Sequence, residues 1–128
     1  MHFWLNEVLP MLTLVLILTA APKLQVSLVK STASASSAAV QKELKAQLVP
    51  LEGCYDLALK TAPSLQGKVT VSFSVDPEAG VTTISAGEDS VKDETLVPCV
   101  LARLRFGEWP RAKKLLAVTA TFRFEQKP

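Results

Sequence analysis

Lys68-Val69-Thr70-Val71-Ser72-Phe73-Ser74-Val75, followed by Asp76-Pro77-Glu78-Ala79-Gly80 and then Val81-Thr82-Thr83-Ile84-Ser85-Ala86, decides the fold class. In the first stretch Val69, Val71, Phe73 and Val75 fall on one face and Thr70, Ser72 and Ser74 on the other, the period of a half-buried strand. The middle stretch is turn chemistry: proline presets one backbone angle and glycine is free to take positive φ. Val81 to Ala86 returns as the second arm of a hairpin. Far downstream, Leu116 to Glu125 repeats the alternation, with Val118, Ala120, Phe122 and Phe124 against Thr119, Thr121, Arg123 and Glu125. That predicts a third strand.

Helical spacing fills the intervals. Val40, Leu44, Leu48, Leu51, Tyr55 and Leu59 recur every three or four positions and draw one apolar stripe, with Lys42, Glu43, Lys45 and Gln47 expected on the opposite side. Pro50 is expected to kink this helix or divide it, and the helix should end near Thr61-Ala62-Pro63. Ser90 to Arg105 is a second helix candidate carrying Leu96, Cys99, Val100, Arg103 and Leu104, regular only from about Val97 because of Pro98. The expected order is α-β-β-α-β: an α+β domain in which a small three-stranded antiparallel sheet carries two helices on one face.

Upstream of this pattern the character of the chain changes. Val8 to Ala21 carries no charge, and it is the length of a signal-peptide core; extended from Phe3 to Pro22 it approaches a membrane span at the cost of including Glu7. An uncleaved anchor and a cleaved signal both remain open. Lys23 and Lys30 would by charge alone hold the following side in the cytoplasm. Residues 23–39, ending in Ser31-Thr32-Ala33-Ser34-Ala35-Ser36-Ser37-Ala38-Ala39, are expected to be a Ser/Ala-rich linker. The division is thus 1–22 anchor or signal, 23–39 linker, 40–128 domain.

Composition excludes several classes of function. The 128 residues carry a net charge of +2, without the sustained basic face that nucleic acid requires. Asp76, Glu78, Glu88, Asp89, Asp93 and Glu94 gather in the middle, and Arg103, Arg105, Arg111, Lys113 and Lys114 follow, a pattern that solvated faces explain. The one histidine, His2, lies in the N-terminal segment, so the serines and cysteines of the domain have no imidazole base. Two cysteines without local histidines cannot fill a zinc shell. No catalytic residue, metal site, cofactor or small-molecule substrate is expected. Trp109, beside Pro110, reads as a core plug or, less simply, as a binding aromatic.

Cys54 and Cys99 lie on the two predicted helices. In an exported domain they pair, whereas in a reducing compartment they pack as small hydrophobes. Paired, they staple helix to helix with a chain-entropy value of roughly 4 kcal/mol.

Cys54-Tyr55-Asp56-Leu57-Ala58-Leu59-Lys60, Pro63-Ser64-Leu65-Gln66-Gly67-Lys68-Val69, Phe73-Ser74-Val75, Gly80-Val81, Cys99-Val100 and Arg105-Phe106 occur in an order and spacing that resembles the TonB-like C-terminal domain, in the version called the AgmX/PglI C-terminal domain. The resemblance covers about Val40 to Phe124. It implies a non-enzymatic interaction module of the cell envelope, part of a transport or motility apparatus. The module would be held at the inner membrane with its domain in the periplasm, or be periplasmic or secreted if the N-terminal segment is cleaved. It further implies that the last strand offers its edge to an extended protein segment. That edge is Val118, Thr119, Ala120, Thr121, Phe122, Arg123 and Phe124. Two departures from an energy transducer stand out: Val8 to Ala21 contains no histidine for coupling to a proton-driven motor, and the spacer is short. The other reading of the same residues is a secreted, disulfide-stapled inhibitor or structural protein.

Overall fold

The alternating and helical stretches form the elements their periods require, and one further strand joins them. The computed structural model describes residues 23–127. The elements are β1 (Lys23–Ala33), α1 (Ser37–Leu59), β2 (Gly67–Asp76), β3 (Gly80–Asp89), α2 (Leu96–Arg105) and β4 (Leu116–Lys127). The sheet has four strands in the order β1-β4-β2-β3, every neighbouring pair antiparallel. The class is α+β, as expected, with four strands in place of three. The anchor or signal expected at residues 1–22 lies outside the described residues.

The extra strand corrects the linker assignment. Leu24, Val26 and Leu28 alternate with Gln25 and Ser27, and Val26 is buried against the core. Opposite β4 they meet Gln126, Phe124 and Phe122. The ladder then shifts at Val29, beyond which Ser31 and Ala33 resume the inward face opposite Ala120 and Val118. Ser34 extends the pairing: its N–H donates to Ala117 O at 3.0 Å, and its Oγ accepts from Ala117 N–H at 2.9 Å. Only the few residues between Ala33 and Ser37 remain as connection.

One face of the sheet is the floor of the core. Val69, Val71, Phe73 and Val75 of β2 and Val118, Ala120, Phe122 and Phe124 of β4 are all buried there. Leu44, Leu51, Cys54, Tyr55 and Ala58 of α1 and Leu96, Val100 and Leu104 of α2 cover them. The other face carries no helix of the described residues and is hydroxyl-rich. Thr32, Thr119, Ser72 and Ser85 form one row across all four strands. Thr70 and Thr121 share a side-chain hydrogen bond at 2.9 Å.

Both prolines within the helices follow from local accounting. Pro98 is the third residue of α2, where a helix N–H has no internal partner to lose. Asp93 Oδ1 accepts the N–H groups of Thr95 at 2.9 Å and Leu96 at 2.8 Å, so the first turn is capped from outside. Pro50 lies well inside α1, yet the helix continues unbroken from Ser37 to Leu59. A mid-helix proline costs about 3 kcal/mol. Burial of Leu44 before it and of Leu51 and Tyr55 after it, at about 1.5–3 kcal/mol each, outweighs that cost.

The polar side of α1 also differs from expectation. Gln47 is buried, and its Nε2 donates to Glu43 Oε2 at 2.7 Å. The same carboxylate oxygen accepts the Glu108 N–H at 2.8 Å. Two residues expected in solvent therefore hold the segment after α2 against α1.

Candidate functional site

Cys54 and Cys99 are joined, 45 positions apart, and the disulfide links α1 to α2. Its surroundings are structural. The Tyr55 hydroxyl donates to Leu65 O at 2.5 Å, and its ring meets Phe124 edge-on at 5.5 Å. Desolvation, with a smaller contribution from the nearby Glu125 carboxylate, raises the Tyr55 pKa, which keeps the phenol neutral and donating. Trp109 is buried, as the core-plug reading has it: its Nε1 donates to Leu104 O at 2.6 Å and its ring lies 4.7 Å from Phe73. Gly107 makes room for that ring, since a Cβ there would lie 2.8 Å from Trp109 Nε1.

Two of the acidic residues read from the sequence serve turns. Asp76 and Asp93 accept backbone N–H groups in turns. Among the described residues there is no group of three or more His, Cys, Asp or Glu side chains that could hold a metal ion. No helix of the described residues is long and apolar enough to cross a membrane.

The expected partner edge is not an edge. Val118, Thr119, Ala120, Thr121, Phe122, Arg123 and Phe124 lie in β4, which pairs with β2 on one side and β1 on the other. Residues of the presumed linker fill the position reserved for a partner. The physical reason is the alternation of Leu24, Val26 and Leu28, which gives β1 its own apolar face to bury against Phe122 and Phe124. β4 is one of the two inner strands, paired on both sides within the chain.

Among the described residues the unpaired edges are the outer sides of β1 and β3. They differ in chemistry. β1 carries Lys23 and Lys30, charges that discourage another strand from pairing, whereas register shifts occur in both outer ladders, at Val29 of β1 and twice along β3. β3 carries no charge from Val81 through Gly87, and the run is rich in β-branched residues. On the core side, β3 is flanked by α2, with Val81, Ile84 and Ala86 of β3 and Val97 and Leu101 of α2 only partly buried. An extended segment laid along β3 would find main-chain donors and acceptors on one flank and this apolar stripe beside it.

The hairpin turn that presents β3 is firmly built. Asp76 Oδ1 accepts the N–H groups of Glu78 at 2.8 Å and Ala79 at 3.0 Å. Arg111 Nη1 donates to the carbonyls of Pro77 at 3.1 Å and Glu78 at 2.9 Å. Gly80 sits at φ 80°, a conformation that glycine adopts without strain. Sequence reasoning could have found this edge from the uncharged run Val81 to Gly87, but not which side of the hairpin would stay open. No protein-family model matches the chain, and no curated protein or solved structure is significantly similar to it.

Proposed function

We propose that this chain is a non-enzymatic interaction module of the cell envelope, with a TonB-like domain, that binds an extended protein segment by adding it to the sheet beside β3. The observation that carries the reading is the uncharged, unpaired edge Val81 to Gly87 lying next to α2. Long unguarded edges are uncommon because they invite unwanted pairing, and a protein that keeps one has a use for it. The TonB-like reading is supported by the order α1-β2-β3-α2-β4 and by a cysteine on each helix. The envelope placement rests on the apolar run Val8 to Ala21 and on the disulfide, which belongs in an oxidising compartment.

The test is selection of binders from a displayed library of random dodecapeptides on the full chain in detergent micelles, followed by amide-shift mapping. Perturbations centred on Val81 to Gly87 are expected. If no selected peptide perturbs those amides, strand addition at β3 is wrong, and the disulfide-stapled structural protein is the better reading.

A further inference from the structure

At the Gly80 end of β3 the apolar stripe gives way to a hollow of about 520 Å³. Its wall includes Gly80, Val81, Phe106 and Trp109, and its charged groups are Arg105, Arg111 and Glu108. Two guanidinium groups face one carboxylate on its wall; the Asp76 carboxylate, outside the wall, also acts on Arg111, so Arg105 is the cation left over. The Arg111 fork is fixed by its bonds to the turn carbonyls, and its Nη2 lies 3.1 Å from where a Cβ on Gly80 would be. A positive group is thus held over the first residue of the open edge. Arg105, in the last turn of α2, is exposed, and its side chain makes no ion pair or hydrogen bond with the described residues. Phe106 beside it is 82% exposed, an unusual position for a large aromatic side chain.

Resting on the reading of β3 as the partner edge, we infer that this hollow takes an acidic side chain of the added segment. The partner is then an uncharged β-forming run of about six residues, matching the roughly 17 Å from Val81 to Ala86, with an aspartate or glutamate where it passes Gly80. The carboxylate meets the two guanidinium groups, whose planar donor sets suit it. An apolar residue next to the acid covers Phe106. The charge fixes the register of the segment along β3, which main-chain pairing alone leaves free to slip by two residues.

The experiment repeats the dodecapeptide selection on the full chain and on two variants, Arg105→Gln and Arg105→Glu. Arg105 is exposed and unbonded, so both variants retain the fold. Selected peptides that perturb β3 are expected to carry an acid at one end of an uncharged run. A version with that acid changed to its amide should bind about tenfold more weakly to the unaltered chain. Arg105→Gln should shrink that ratio, and Arg105→Glu should shift selection toward lysine at the same position. Peptides that perturb β3 but show no acidic preference, or a preference unmoved in both variants, would overturn the hollow's role and leave strand addition standing. A selection in which no peptide perturbs β3 overturns strand addition, and the hollow's role with it.

Discussion

The two outer strands of this sheet meet solvent on terms that their side chains set. β1 is held by an inner strand, pinned at its far end by Ser34, and bears Lys23 and Lys30. β3 is held by β2 through a rigid turn and is uncharged from Val81 to Gly87. The helices divide in the same way, α1 packing on β1 and α2 on β3. A guarded edge closes the fold, whereas an unguarded one is available for recognition. Equal exposure of two edges is therefore no guide to equal use.

The largest expected effect comes from cutting the one covalent tie between these halves. Replacing both cysteines, Cys54→Ala with Cys99→Ala, should lower unfolding free energy by roughly 2–4 kcal/mol, since the unconstrained chain regains its loop entropy. Denaturant titration reads this directly. If amide exchange in the variant accelerates equally in β1 and β3, the halves are one cooperative unit. Selective acceleration in β3 and α2 would sharpen the contrast by showing that the recognition half is the less stable one.

A smaller change in stability, with a large change in binding, should follow from guarding the open edge. Ser85 lies on the hydroxyl face of β3 opposite Ser72 and is exposed. Ser85→Lys gives β3 the kind of charge that β1 already has, so an added strand must bury or pair an ammonium. Stability should move by no more than about 0.5 kcal/mol. Affinity for a peptide selected on β3 should fall about tenfold. Unchanged affinity in the titration would mean that charge is not what separates the two edges.

Much of this was legible in the sequence. The strands β2 and β4 follow from strict alternation, β3 from its place after the turn, and the buried stripe of α1 from its spacing of three and four. β1 was hidden by its neighbours: the apolar run before it and the Ser/Ala run after it suggested one tether. Its alternation lasts only from Leu24 to Leu28 before the bulge at Val29 ends it. The candidate site moved for the same reason, because identifying an edge requires the pairing order, a long-range property that no local period reports. The use of Glu43 and Gln47 was equally out of reach, since their partner at Glu108 is 65 positions from Glu43.

The smallest effect concerns the turn that presents β3. Hydrogen bonds from the N–H groups of Ala79 and then Glu78 hold the Asp76 carboxyl below the usual carboxylate range; desolvation opposes them, and Arg111 makes the smallest contribution, in their favour. A carboxyl whose pKa is lowered by folding stabilises the native state above its unfolded pKa. That contribution is lost as pH falls through the lower, folded value. Acid should therefore loosen the turn, and with it the Gly80 end of the open edge, before it reaches the β1–β4 ladder. The variant Asp76→Asn keeps an acceptor oxygen but no titrating charge. Its stability should be slightly lower at neutral pH and should decline less as the solution is acidified. Denaturant midpoints measured across the acid range for both proteins check the sign. Parallel pH profiles would show that the turn owes its rigidity to Arg111 and Gly80 rather than to the carboxylate, and would shift the difference between the two edges onto those residues.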